Sequence, residues 1–97
     1  MSLTLRDAQH LCWKTFKKLE KLTQKPSDKS ATASDLTKKA AEISERVQQA
    51  GPPDSEASGK LLSELLFYAF VLAEHQGVDL EENFLQTVDE LILGMVT

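Results

Sequence analysis

The residues of this chain best suited to chemistry are carboxylates at helical spacing. In "LTKKAAEISERV", Glu42 and Glu45 stand three apart, which places them within about 60° of each other on a helix and roughly opposite its apolar seam. A third, Glu64, lies among apolar side chains in "SELLFYAFVLAEHQGVDLEE", Ser63 to Glu82. Carboxylates from two facing helices suit Mg²⁺, a hard cation that takes oxygen ligands, keeps part of its water shell and can be held against a substrate phosphate. The same spacing also suits a solvated face on which Lys38 pairs with Glu42 at i,i+4, and spacing does not separate the two.

Other reactive side chains read more simply. His75, near a helix end, is a favourable cation at a helix C-terminus, and His10 is a surface residue. Cys12 has no visible activating neighbour, so it reads as a packed thiol. Trp13 falls off the main stripe of its helix, which suits an interface or rim position, with stacking on a base as the alternative. Lys14, Lys17, Lys18 and Lys21 mark a solvated face that would attract phosphates only if it lined the same cleft as Glu42.

Positioning these residues falls to helices, because apolar residues recur at helical spacing throughout. Four helices and no strand are expected. The first spans about Thr4 to Leu22, with the stripe Leu5, Ala8, Cys12, Phe16, Leu19 and Leu22 and a capping-box start in Thr4 and Asp7. "TQKPSDKSATAS" offers turn formers and nothing to bury, so 23–33 is expected to be a mobile loop. The second helix, about Ser34 to Ala50, carries the seam Leu36, Ala40, Ile43, Val47 and Ala50 and ends at "GPPD", which makes 51–54 the second mobile segment. The third, about Ser55 to Gln76, stops at Gly77 with Val78 beyond, the pattern of a left-handed glycine cap. Asp79 and Glu82 open the fourth as an Asp-x-x-Glu capping box, followed by Leu80, Phe84, Val88, Leu91 and Met95, widened by Leu85 and Ile92.

The third helix is apolar on nearly every side. Leu62, Leu65, Leu66, Ala69 and Ala73 share one face, expected to meet the helices of its own subunit; Leu61, Tyr68 and Val71 lie opposite, with Glu64 among them. That second face is assigned to a subunit interface, so an oligomer, a dimer or tetramer, is expected.

Three segments carry a family likeness. "LTLRDAQHLCWKTFKKL", "LTKKAAEISERV" with its E-x-x-E pair, and "LLSELLFYAFVLAEHQGVDLEENFLQTV" with its Gly-hydrophobic-Asp-Leu-Glu-Glu turn resemble, in order, the helices of the MazG-type all-α nucleoside triphosphate pyrophosphohydrolases. The resemblance covers most of the chain and implies an oligomeric, four-helix bundle-like subunit. It also implies a reaction, the Mg²⁺-dependent hydrolysis of a nucleoside triphosphate to monophosphate and pyrophosphate, with the metal held by E-x-x-E on one helix and E-x-x-D on the next. Glu42 and Glu45 match the first pair. At the second the chain reads Leu61-Leu62-Ser63-Glu64, so Glu64 takes the aspartate position and Leu61 the glutamate position. Lys60, beside that gap, is expected to pair with Glu64 at i,i+4 in place of a metal. The phosphate-contacting positions of the family's fourth helix fall on Thr87 and Leu91, neither suited to an anion. The resemblance therefore implies Glu42, Glu45 and Glu64 as a weakened Mg²⁺ set.

Composition bounds the rest. Ninety-seven residues make one domain, 1–97, and a net charge of −4 argues against DNA, RNA or an anionic membrane as partner. The lone Cys12 fits a reduced, cytoplasmic protein; "MSLTLRDAQ" has no signal-peptide pattern, and the longest apolar run, Leu65 to Ala73, is about half of a membrane span. Three functional readings stay open: a degenerate MazG-like oligomer that binds a nucleotide or a protein, an active enzyme with a reduced ligand set, and a helical adaptor unrelated to nucleotides.

Overall fold

Local capping decides where the helices begin and end. The computed structural model describes residues 2–24, 28–49, 51–52 and 54–96. Among these it is all-helical: α1 (Leu5–Thr23), α2 (Lys29–Gln48), α3 (Ser55–Gln76) and α4 (Leu80–Val96). The capping box of α1 forms as expected, with the Asp7 amide donating to Thr4 Oγ1 at 3.0 Å and the Thr4 amide to Asp7 Oδ2 at 3.3 Å. Asp54 accepts from the Ala57 amide at 3.1 Å to open α3. Gly77, at φ +68°, closes α3, and the Val78 amide bonds back to the Ala73 carbonyl at 2.9 Å. No helix of the described residues is long and apolar enough to cross a membrane.

α2 departs from expectation at its start. It begins at Lys29, so residues 29–33 are helix rather than loop. Asp28 supplies the missing N-cap, accepting from the Ala31 amide at 2.9 Å. Thr32, read as having nothing to bury, is fully buried; its hydroxyl donates to the Asp28 carbonyl at 3.1 Å and lies 3.5 Å from His75 Nε2. Lys25, Pro26 and Ser27 of that expected loop, Pro53 of the second and the seam residue Ala50 lie outside the described residues. Gly51, just beyond the end of α2, takes a positive φ of +118°.

α3 packs on both α2 and α1, while α4 rests chiefly on α1. The core is Phe16 of α1 with Leu61, Phe70, Val71 and Ala73 of α3. Ala73 is buried as expected, but the rest of the core of α3 departs from the expected faces. Val71 is 0% exposed and Leu61 7%, so the face assigned to another subunit packs within this chain. Leu62 and Leu66, assigned inward, are 52% and 53% exposed. The reason is geometric: Leu61, Glu64, Tyr68, Val71 and His75 follow a three-four repeat, a seam as regular as the one chosen, and periodicity gives an apolar surface without naming its partner. The α1 stripe shifts likewise, since Gln9 and Phe16 are buried while Leu19 and Leu22 are exposed, and on α2 Val47 stands clear of the seam.

Candidate functional site

The candidate carboxylates lie where α2 meets α3. Glu64, half-buried on the inner seam of α3, receives a charge-assisted hydrogen bond from Lys39 Nζ on α2, 2.7 Å from Oε2. The same Nζ is 3.9 Å from Glu42 Oε1. Lys39 thus stands between two of the three predicted ligands. Glu42 and Glu45 are both exposed. The bond from Lys39 holds the Glu64 carboxyl below its usual range; partial burial opposes this, and the charges of Lys39 and Lys60 reinforce it. The cation hydrogen-bonded to Glu64 is therefore Lys39 of the neighbouring helix, with the expected partner Lys60 contributing at longer range.

As arranged, Lys39 rather than a shared open point lies between Glu64 and Glu42. A hard cation needs several oxygens converging on one point, and here an ammonium has taken the converging position. Among the described residues, no three His, Cys, Asp or Glu side chains come together to hold a metal ion. Leu61, at the position where the resemblance implies a further ligand, belongs to the core. The positions implied as phosphate contacts are turned to other uses: the Thr87 hydroxyl donates to the Asn83 carbonyl at 2.8 Å, and Leu91 is exposed.

One turn beyond Glu64, Tyr68 lines a cleft of about 340 Å³ with Phe16, Leu19, Glu20, Asp35 and Phe67. Burial raises the Tyr68 phenol above its ordinary pKa, and Asp35 adds to the rise. Trp13 is partly buried. It stacks on Phe16 at 5.9 Å between centroids, meets the edge of His75 at 5.1 Å, and carries Lys17 Nζ 4.8 Å above its ring. His75 lies in the last turn of α3, as expected, and packs edge-on against the rings of Trp13 and Phe16. Burial raises the Cys12 pKa, the opposite of an activated thiol.

A second polar centre joins α1 to the α3–α4 turn. Gln9, buried, donates through Nε2 to the Val78 carbonyl at 2.7 Å and accepts at Oε1 from the Leu80 amide at 3.0 Å. His10 Nδ1 lies 2.9 Å from Glu74 Oε1. Arg6 spans three acids: Asp79 at 2.8 Å, Glu81 at 3.0 Å and Glu82 at 3.8 Å. Asp79 caps α4 through the Glu81 amide at 3.0 Å, and Glu82 turns toward Arg6. Gln9 and Arg6 escaped sequence reasoning because their partners lie about seventy residues away. The only local hint was that Gln9 lies next to the apolar stripe. Compared with protein-family models, with curated proteins and with solved structures, the chain finds no match.

Proposed function

We propose that this chain is a MazG-like helical protein in which an internal ion pair occupies the place of the metal, and that it acts as an oligomeric nucleotide- or protein-binding protein with little or no pyrophosphohydrolase activity. The observation that carries the reading is Lys39, whose Nζ lies 2.7 Å from Glu64 and 3.9 Å from Glu42. A divalent ion at this position would have to displace a hydrogen-bonded ammonium and would still lack the ligand that Leu61 replaces. Without the ion, nothing polarises the phosphate or lowers the pKa of the attacking water.

The test measures metal binding and turnover together. In millimolar Mg²⁺ the thermal midpoint of the unmodified protein should move by less than about 2 °C, because a ligand no stronger than its own concentration adds little stability. Pyrophosphate release from nucleoside triphosphates should stay at background. Lys39→Ala should strengthen the response to Mg²⁺ by freeing Glu64 and Glu42. It is a cleaner probe than Leu61→Glu, which would set a charge in the core at a cost of several kcal/mol. Turnover in the unmodified protein that Glu45→Gln abolishes would refute the reading.

A further inference from the structure

We infer that the groove between α3 and α4 is the docking site for an amphipathic helix of another protein, one whose polar face is basic. The groove, about 270 Å³, is lined by Leu66 and Phe70 of α3, Leu80, Asn83 and Phe84 of α4 and Leu5 of α1. Phe70 is buried, whereas Leu66 and Phe84 are more than half exposed. Leu62 and Leu91, also more than half exposed, continue the apolar strip away from the α3–α4 turn, by about one turn on α3 and two on α4. From Leu80 to Leu91 the strip is about 17 Å long, a length that one short helix covers.

Enough surface is left open for such a partner. A compact chain of 10.8 kDa exposes about 5,500 Å², whereas this one exposes 7531 Å², an excess of about 2,000 Å². A specific interface removes about 800 Å² from each partner, so the excess is ample for one helix lying in the groove. Helix-in-groove recognition needs apolar anchors at i, i+3, i+4 and i+7 on the incoming helix, and the unpaired strip of α3 and α4 is the surface that receives them.

Charge decides what the rest of that helix carries. All 11 lysines and arginines of the chain fall before Leu61, whereas seven of its 15 acids follow it. Beside its apolar arc, α4 therefore carries Glu81, Glu82, Asp89 and Glu90 and no basic residue. Arg6 offsets the acids at its start, reaching Glu81 at 3.0 Å and Glu82 at 3.8 Å. Farther along, Asp89 and Glu90 meet no cation among the described residues; Glu90 Oε1 accepts from the Gln86 side-chain amide at 3.3 Å. Around the helix axis Glu90 stands about 20° from Asn83, which places it at the outer rim of the groove. A second copy would bring the same acid-only α4 to this rim, where like charges repel, and a basic flank is attracted. The same sign turns away nucleic acid and anionic lipid. This inference rests on the reading of the chain as a protein-binding protein, and names the surface and the chemistry of the partner.

The probe is a synthetic peptide of about 18 residues, with leucine at i, i+3, i+4 and i+7 and lysine elsewhere, titrated into the full chain by calorimetry. It should bind at least about 10-fold tighter than the same pattern built with glutamate, and than a peptide of lysine and serine without leucine. Phe84→Ser and Leu66→Ser, which leave the net charge unchanged, should each weaken binding at least about 10-fold. Asp89→Asn with Glu90→Gln should reduce its dependence on salt. Val47→Ser, at an exposed apolar site on α2, should leave binding unchanged. Circular dichroism checks that the variants fold. As a measure independent of any variant, the peptide should slow hydrogen exchange of the unmodified chain in α4 and in residues 62–70, and not in α2. No binding at about 100 µM overturns the proposal, as does protection confined to another face. So does equal affinity for either control peptide, which would leave charge alone or apolar contact alone as the cause. Protection of the groove that rises with the chain's own concentration and shuts out the peptide also overturns it, because the occupant is then a second copy. Metal-dependent turnover would instead sink the functional reading and leave this surface standing.

Discussion

Gln9 shows how much of this structure rests on a side chain with no obvious chemistry. It satisfies the Val78 carbonyl and the Leu80 amide at once, so one buried amide ties α1 to the turn that orients α4. Gln9→Leu keeps the volume and removes both of these bonds and the longer one from Nε2 to Glu74 Oε1 at 3.4 Å, leaving two backbone groups unpaired; we expect a loss of about 2–4 kcal/mol in urea denaturation. Gln9→Glu would keep the acceptor for Leu80, lose the donor to Val78 and set a second carboxylate near Glu74, so it should be no more stable than Gln9→Leu. Lys39 is the comparable residue at the carboxylate cluster. Its three-residue spacing from Glu42 was visible in the sequence, but its shorter bond, to Glu64, depends on α2 lying against α3.

Among the helices, termination is legible and facing is not. Gly77 illustrates the first: only a residue tolerant of φ +68° closes α3 here, and a Cβ at that position would meet nothing within 4 Å. Gly77→Ala therefore isolates backbone strain from packing. It should cost roughly 1–2 kcal/mol in thermal denaturation, and a neutral result would contradict the left-handed cap. The start of α2 illustrates a misreading of a different kind. Asp28 followed by Lys29, Ser30 and Ala31 is a capping sequence, but the abundance of small polar residues concealed it, and the burial of Thr32 depends on His75 and its neighbours being close by.

Two ion pairs fasten the outer helices, Lys39–Glu64 between α2 and α3 and Arg6–Asp79 between α1 and the start of α4. Hydrogen bonds from their partners lower the pKa of Glu64 and of Asp79. A carboxyl with a lowered folded-state pKa binds fewer protons folded than unfolded. Its stabilisation is fully present above the ordinary carboxylate range and is lost as pH falls through the folded-state values. The thermal midpoint should therefore decline as pH drops below about 4, and Asp79→Asn should flatten part of that decline. A midpoint that rises on acidification would contradict both pairs. The helical class, the ends of α1 and α3, the glycine cap and the apolar arc of α4 could be read from sequence, because each follows from backbone preference and from residues three or four apart. Which seam of α3 turns inward, which cation reaches Glu64, and the tying of Gln9 and Arg6 to the α3–α4 turn were decided by tertiary packing. Those partners come from other helices, and a helical repeat states that a face is apolar without stating what will cover it.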